Sequence, residues 1–377
     1  MAGILAPFAS LGTGNLLIQA VARDRAQFPR HWANCLQTTC ISGALFTGVS
    51  MALARFVLPS AIPVTLVLFI AISELIFVRL LDGAAMAFQA LEQLRMTAWF
   101  SFLLTFCRML AAAVLLLMVP HASPLQWSEL YLASTTIPAC AAIWFVTREV
   151  GAPSWGERMG SREYLQGLYF SVSMAAQSIY NDIDKTMLAR ISGLSSAGLY
   201  SAAYRIVDAA FSPVNAVFAA AYPRFFQLGA HGIARSSRFG RRVLGRAALY
   251  SSAASIAIWF AAPLVPSVLG ANFRDSIPAL RMLSPILVFR SLHYSAADAL
   301  TGAGHQGLRT ILQLLVAGLN VGLNLIIIPR FSWLGAVFSS VVCDGALAIL
   351  LWIGVLALCA RERRVPQIVP QDAAVRA

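Results

Sequence analysis

The segment Asn181-Asp182-Ile183-Asp184-Lys185, followed by Gly198-Leu199-Tyr200-Ser201-Ala202-Ala203-Tyr204-Arg205, places charged side chains inside stretches that are otherwise apolar. Both stretches are long enough to be membrane-spanning helices. An ionisable side chain is costly in hydrocarbon, so within a spanning helix it normally faces the protein interior or a water-filled path. This segment therefore predicts a membrane protein that handles a polar cargo.

Composition supports the same class. Hydrophobic residues make up 59% of the 377 residues and charged residues 12%, and the mean hydropathy is +0.72. Soluble domains carry roughly 25% charged and about 45–50% apolar residues. No soluble fold can bury this much apolar surface, so the predicted fold class is an all-α polytopic membrane protein.

The placement of the remaining polar residues argues against other classes. The net charge of +12 comes from arginines in short loops, which is typical of the positive-inside rule and not of a nucleic-acid surface. The cysteines form no Cys-x-x-Cys pair and the histidines no ligand spacing, so we expect no metal and no cofactor. Asp182 and Asp184 would point to different faces of a helix, and the predicted outer loops are short. We therefore expect no enzyme.

Hydropathy divides the chain into spans. A hydrocarbon core about 30 Å thick needs roughly 20 apolar residues per helix. Several prolines fall near the predicted ends, where helix breakers belong: Pro59, Pro63, Pro120, Pro124 and Pro329. The span 163–191 is the most polar. Eleven spans are predicted: 2–22, 33–58, 62–89, 96–119, 128–147, 163–191, 195–223, 243–269, 276–302, 307–329 and 332–359.

The loops predict sidedness and domains. Of the 28 basic residues, 18 fall on one side and 4 on the other, which assigns the first loop and the C-terminus to the cytoplasm. The polar segment 148–162 is the longest break in the first half. It divides the chain into an N-terminal lobe (1–147), a C-terminal lobe (163–360) and a cytoplasmic tail (361–377).

The two halves contain a weak internal repeat. Four matches occur in the same order, at offsets between 200 and 214. The repeat places the counterpart of span 163–191 before residue 1. We therefore expect that one N-terminal helix of roughly 20–40 residues is missing from this chain. The matches are Ala9–Ala20 with Ala209–Ala220, Pro59-Ser60 with Pro266-Ser267, Leu94-Arg95 with Leu308-Arg309, and Trp127 and Ser134 with Trp333 and Ser340.

Three motifs carry a family resemblance. The runs Asp182–Arg190, Ala197–Ile206 and Ala221-Tyr222-Pro223-Arg224-Phe225 resemble the oligosaccharide flippases of the Wzx type. These flippases belong to a superfamily that also holds the lipid II flippases and the multidrug and toxin extruders. Leu11-Gly12-Thr13-Gly14-Asn15 looks like the family's second helix, which agrees with the expected missing helix.

The resemblance implies both a fold and a cargo. The fold would be two pseudo-symmetric six-helix lobes around a central cavity, related by an axis along the membrane normal. The cargo would be undecaprenyl-pyrophosphate-linked oligosaccharide, moved to the outer leaflet of the bacterial inner membrane for O-antigen, capsule or exopolysaccharide. The partners would be membrane lipids and polysaccharide polymerase or export proteins. A cation-coupled multidrug extruder of the same fold is the alternative.

Recognition of a lipid pyrophosphate calls for arginine, whose planar fork binds phosphate oxygens in pairs. Arg205 ends the motif most like the family's pattern, where the matching arginine faces the cavity, so it is the first candidate. Asn15, Asn215, Asn320 and Asn324 are candidates for sugar hydroxyls, or for bonds between helices. The candidate substrate-binding residues are Arg205, Asp184, Lys185, Arg108, Arg79 and Arg290.

Several candidates have a structural alternative. An acid and a base three residues apart on a helix can form an ion pair that only neutralises charge inside the bundle. Arg108 and Arg290 have no such partner on their own helices. The intramembrane acids also permit proton or sodium coupling, so the energy source stays open. The possible pairs are Arg205–Asp208, Asp182–Lys185 and Arg79–Asp82.

Overall fold

The computed structural model describes residues 2–57, 63–118, 123–157, 159–270 and 273–364. Pro59, Ser60 and Pro120 and most of the predicted tail lie outside the described residues. The side chain of Asp182 also lies outside them, so the predicted Asp182–Lys185 pair is not described.

The described part of the chain is helical and contains no strand. Seven helical segments are long and apolar enough to cross a membrane, which confirms the all-α polytopic prediction. The helices are α1 Ala2–Ala9, α2 Thr13–Arg23, α3 Phe28–Val57, α4 Val64–Ile72, α5 Val78–Ala90, α6 Leu94–Met118, α7 Pro124–Glu149, α8 Ser161–Ile191, α9 Leu194–Gly229, α10 Ile233–Ala261, α11 Val265–Leu269, α12 Ser276–Leu283, α13 Ile286–Gly302, α14 Gln306–Phe331 and α15 Trp333–Arg364.

Three predicted spans are less regular than hydropathy suggests. The first is broken between α1 and α2, where Leu11 and Gly12 take φ values of 43° and 63°. The span formed by α4 and α5 contains one turn of π-helix at Ser73–Phe77, a feature often found at functional sites. The span formed by α12 and α13 is interrupted at Ser284, just before Pro285, because proline cannot donate to the helical ladder. A hydropathy profile indicates the length of an apolar stretch but does not indicate these local departures from a regular α-helix.

Polar contacts bring the arginine-rich loops to one side of the bundle. Arg30 Nη2 lies 2.8 Å from Glu163 Oε2, joining the start of α3 to the start of α8. Arg224 Nη2 lies 3.3 Å from Glu92 Oε2, and the backbone N–H of Ala234 donates to Glu362 Oε2 over 2.9 Å. We call this face the arginine-rich side.

The helices group into two lobes, which we call the N-lobe (α1 to α7) and the C-lobe (α8 to α15). The N-lobe core is built around large buried side chains such as Trp32 and Phe88, and it extends to Phe226 of α9. The C-lobe core is built around Tyr200 and Phe211. Burial of such side chains contributes about 1.5–3 kcal/mol each in water, but in lipid the lobes are held mainly by close packing and hydrogen bonds.

The lobes meet where α1 and α2 pack on α8 and α9, and α2 ends at the arginine-rich side. Every interlobe hydrogen bond made by the described residues lies in the half of the molecule that includes the arginine-rich side, or at its loops. They include Gln166 Nε2 to Gln19 Oε1 (2.7 Å), Tyr222 Oη to Asn15 Oδ1 (3.3 Å), Gln89 Nε2 to the Ala219 carbonyl (2.8 Å) and Arg23 Nη2 to the Gly302 carbonyl (3.3 Å).

The closest interlobe crossing joins the α1–α2 break to α8. A Cβ added at Gly167 would lie 2.4 Å from the Leu11 carbonyl oxygen, and one at Gly12 would lie 2.5 Å from the Gly167 carbonyl oxygen. Both distances are shorter than any real Cβ contact. Glycine at these two positions therefore allows the backbones of the two lobes to touch.

We expect Gly167→Leu to separate the lobes at this crossing. Overpacking of this kind costs about 1–3 kcal/mol, so amide hydrogen exchange in α2 should accelerate by roughly 5- to 150-fold. Gly322→Leu is the matched control, because nothing lies within 4 Å of a Cβ at Gly322. Exchange in α2 that is equally slow in both variants would show that the crossing does not hold the lobes together.

Candidate functional site

A polar cavity of about 260 Å³ lies inside the C-lobe, between α8, α9 and α13. Arg290 precedes the end of α13 by 12 residues, which is about 18 Å at 1.5 Å per residue. The cavity is therefore near the middle of a hydrocarbon core about 30 Å thick. Its lining residues are Gln177, Lys185, Tyr204, Asp208, Phe211, Asn215, Arg290, His293 and Tyr294.

Arg290 is the central charge of this cavity. Its Nη1 lies 2.6 Å from Asp208 Oδ1, and its Nη2 donates to Tyr204 Oη over 2.6 Å. The guanidinium also stacks 5.1 Å from the centre of the Tyr204 ring. The Arg290 side chain is only 9% exposed, whereas that of Asp208 is 48% exposed. The carboxylate is thus the accessible partner, and an incoming anion would compete with it for the guanidinium.

Lys185 supplies a second cation to the same cavity. Its Nζ lies 4.7 Å from the centre of the Tyr204 ring, so the ring carries a cation at Lys185 and another at Arg290. Such contacts stabilise a cation by about 0.5–2 kcal/mol. Two cations against the one carboxylate of Asp208, with His293 neutral, give the described lining a formal charge of +1. The described lining thus presents more cations than carboxylates, together with hydrogen-bonding groups.

His293 joins the cavity to a buried acid. Its Nε2 lies 3.1 Å from Asp344 Oδ1, and the Asp344 side chain is fully buried. Gln177 Nε2 donates to Tyr294 Oη over 3.1 Å on the same wall. These bonds fix the orientation of polar groups around the opening and leave it lined by side chains that can bond hydroxyl groups.

Asp184, a predicted substrate-binding residue, lies behind this cavity and not in its lining. Its carboxylate accepts hydrogen bonds from Tyr200 and from Ser340, the latter over 3.0 Å. The backbone N–H of Lys185 donates to it over 2.7 Å. Because its oxygens are satisfied by C-lobe donors, Asp184 ties α8 to α9 and α15, and the structure does not place it where a cargo would contact it.

Arg205, the first sequence candidate, is also absent from this cavity. It is exposed on another face of α9, in an apolar groove with Ala202 and Leu264. The structural alternative for Arg205, an ion pair with Asp208, does not form, because Asp208 binds Arg290 instead. Adjacent positions on a helix are about 100° apart, so when Tyr204 faces the cavity Arg205 cannot.

Arg108 and Arg79 belong to a separate polar cluster in the N-lobe. Arg108 Nη2 lies 2.7 Å from Glu74 Oε1, in the π-helical turn, and its guanidinium stacks 4.4 Å from the Tyr131 ring. Tyr131 also donates to Glu74. Arg79 Nη1 forms the expected i,i+3 pair with Asp82 Oδ2 at 3.0 Å. Two cations and two anions balance, so this cluster has no excess charge with which to attract an anion.

The two clusters occupy similar places in their lobes. Arg79 and Arg290 are 211 positions apart, within the offsets of the sequence repeat. Ser73, where the π-helical turn begins, and Ser284, where α12 ends, are also 211 positions apart. Each lobe therefore places an arginine shortly after an irregular turn, and among the described residues the C-lobe arginine opens onto a cavity whose lining carries a formal charge of +1.

Comparison with known proteins identifies the family. A family model described as polysaccharide biosynthesis protein matches residues 1–229. The chain belongs to this family. A comparison with curated protein sequences gave no match.

Solved structures share the fold. A multidrug resistance MATE family transporter of the MOP superfamily matches in an outward-facing conformation with a TM-score of 0.77 and 18% identity, covering 95% of this chain and 86% of that one. An inward-facing structure from the same family matches at 0.70 and 16%, covering 96% and 89%. A MOP superfamily transporter from Pyrococcus furiosus matches at 0.76 and 17%, covering 95% and 86%. The chain is thus a multi-pass membrane protein with the two-lobed MOP transporter fold.

Sequence reasoning missed part of the cavity of this polysaccharide biosynthesis family member. Tyr204, Phe211, Gln177, His293 and Tyr294 were not among the candidates. A signal was present in α9, where Tyr204, Asp208, Phe211 and Asn215 follow one another at intervals of four, three and four. This spacing places polar and aromatic side chains on one helical face. Asn215 lines the cavity, whereas Asn320 and Asn324 bond each other over 2.9 Å.

Proposed function

We propose that this protein flips undecaprenyl-pyrophosphate-linked oligosaccharide from the cytoplasmic to the outer leaflet of the bacterial inner membrane, for surface polysaccharide biosynthesis. The observation that carries the proposal is the mid-membrane cavity, in which Lys185 and Arg290 outnumber Asp208 in a chain of the polysaccharide biosynthesis family. Arginine and lysine are the side chains that bind pyrophosphate oxygens. Transport of this kind breaks no covalent bond and needs no cofactor.

The arginine-rich side is the cytoplasmic side in this proposal, by the positive-inside rule, and the C-terminus is cytoplasmic with it. The interlobe hydrogen bonds lie in this half, so the described conformation is closed toward the cytoplasm. Cargo would enter when Arg23 releases the Gly302 carbonyl and Gln166 releases Gln19. The lobes would then rock about the linker that joins them, giving alternating access.

The cavity residues have distinct roles in this cycle. The pyrophosphate would take the place of Asp208 at the Arg290 guanidinium, because the carboxylate is the exposed half of that pair. Lys185 would bind the remaining phosphate oxygens. Asn215 and Gln177 would donate to sugar hydroxyls. When the pyrophosphate displaces Asp208, α9 would lose its ion pair with Arg290 of α13. Because α9 also contacts the N-lobe through Tyr222, cargo binding would be coupled to the contact between the lobes.

Export of organic cations is the second candidate. The observations that favour it are the fold shared with MATE family transporters and the exposed carboxylate of Asp208 near the rings of Phe211 and Tyr294. An aromatic-lined carboxylate suits an organic cation. The excess positive charge of the lining disfavours it.

Deletion of the gene, followed by extraction of lipid-linked oligosaccharides and mass spectrometry, separates these functions. We expect the undecaprenyl-linked repeat to accumulate and surface polysaccharide to be lost, with both restored by the wild-type gene on a plasmid. Drug susceptibility measured on the same strains should not change. Increased susceptibility with normal surface polysaccharide would favour the export of organic cations instead.

A further inference from the structure

A second cavity, of about 710 Å³, lies on the lipid-facing surface of the C-lobe. It is a groove between α9 and the segment where α10 passes into α11. Leu264 in its wall is 63% exposed, and Phe260 beside it is 77% exposed, which is typical of side chains that face acyl chains. The groove is lined by Gly198, Ser201, Ala202, Arg205, Ile206, Ala209, Ala261, Leu264, Val265 and Phe273.

The floor of this groove consists of small residues at helical spacing. Gly198, Ser201, Ala202 and Ala209 lie on one face of α9, and nothing lies within 4 Å of a Cβ added at Gly198. Small side chains on this face leave a trough along the helix that the neighbouring α10 and α11 do not fill. A flexible hydrocarbon chain fits such a trough.

Arg205 is the only charged residue among the described residues of the lining. It makes no hydrogen bond or ion pair with any residue that the structure describes, since Asp208 is turned to Arg290. It follows the start of α9 by 11 residues, or about 16 Å, in the half of the helix away from the arginine-rich side. A cation in an apolar groove at this depth is costly unless an anion accompanies it.

We propose that this groove binds an anionic phospholipid of the surrounding bilayer. Its headgroup lies over Gly198, and its phosphate pairs with the Arg205 guanidinium, which extends toward the headgroup region where the bilayer thins beside a buried cation. One acyl chain continues along the floor past Ala209. The lining residues that the structure describes include no acid to accept the amine of a zwitterionic headgroup. This selects a lipid with net negative charge, such as phosphatidylglycerol, over phosphatidylethanolamine. The site is separate from the cavity at Arg290.

Native mass spectrometry of the purified protein, titrated with either phospholipid, tests this site. We expect phosphatidylglycerol to bind more tightly than phosphatidylethanolamine. Arg205→Gln should weaken phosphatidylglycerol binding about tenfold, as expected for one charge-assisted contact. Gly198→Leu should weaken it to a similar degree by filling the floor while leaving Arg205 in place.

Arg281→Gln is the matched control, because Arg281 is a half-buried arginine outside the groove whose guanidinium donates to the Trp259 carbonyl over 3.2 Å. It should bind phosphatidylglycerol like the wild type. Equal affinity for the two phospholipids, or an equal loss in Arg205→Gln and Arg281→Gln, would overturn the proposal. So would displacement of phosphatidylglycerol by equimolar undecaprenyl phosphate, which would make the polyprenyl lipid the occupant.

Discussion

Arg290→Gln is expected to lower the rate of lipid-linked oligosaccharide export by about 10- to 100-fold. Hydrogen bonds to charged groups contribute about 1.5–3 kcal/mol, and each 1.4 kcal/mol is a factor of ten. Arg290 is the only buried guanidinium that reaches the described cavity. Its loss also frees Asp208, whose negative charge would repel a phosphate. Export is measured as the initial rate of surface polysaccharide appearance after induction of each variant in the deletion strain.

Two further variants separate charge from geometry at this position. Arg290→Lys keeps the positive charge but loses the fork that engages Asp208 and Tyr204 together, so an intermediate rate is expected. Arg281→Gln removes an arginine of α12 outside the cavity and should leave the rate unchanged. Equal amounts of each protein in the membrane exclude a folding defect. A wild-type rate in Arg290→Gln would remove this cavity from the transport path.

The class of this protein could be read from its sequence, because hydropathy depends only on composition in a window. Of the eleven predicted spans, seven coincide with described helices that are long and apolar enough to cross a membrane. The other four, 2–22, 163–191, 195–223 and 276–302, contain helices that do not meet both conditions. The helix at 161–191, the most polar of them, is continuous. Its polar residues are tolerated because neighbouring helices satisfy them, as Gln313 of α14 does for Ser173.

The partners of charged residues could be predicted only within a helix, and then unreliably. The i,i+3 rule gave the Arg79–Asp82 pair correctly. The same rule suggested Arg205–Asp208, which does not form, because Arg290 is closer to Asp208 once α9 and α13 pack together. A pair 82 positions apart leaves no local trace in the sequence. The rotation of α9 about its axis determines whether Tyr204 or Arg205 faces the cavity. This rotation also depends on helix packing, which cannot be inferred from a sequence motif.

A crosslink between Cys residues introduced at Gln19 and Gln166 is expected to abolish export. These side chains bond across the two lobes over 2.7 Å in the half that we propose to be cytoplasmic. A short thiol crosslinker with a cleavable disulfide would hold this side closed, so cargo could not reach the cavity. Export should fall to the level of the deletion strain and return after reduction. The native exposed cysteines, Cys40 and Cys140, are first replaced by serine.

The matched control joins two positions within one lobe. Ser196 and Ser332 have their Oγ atoms 3.2 Å apart, and both belong to the C-lobe, so Ser196→Cys with Ser332→Cys should crosslink without any effect on export. Comparing the two crosslinks separates the effect of blocking movement between the lobes from any effect of the crosslinking reaction itself. If the lobes open by rigid rotation, only a bond that spans them stops the cycle. Full export by the crosslinked Gln19–Gln166 pair would mean that cargo enters by a route that leaves this interface closed.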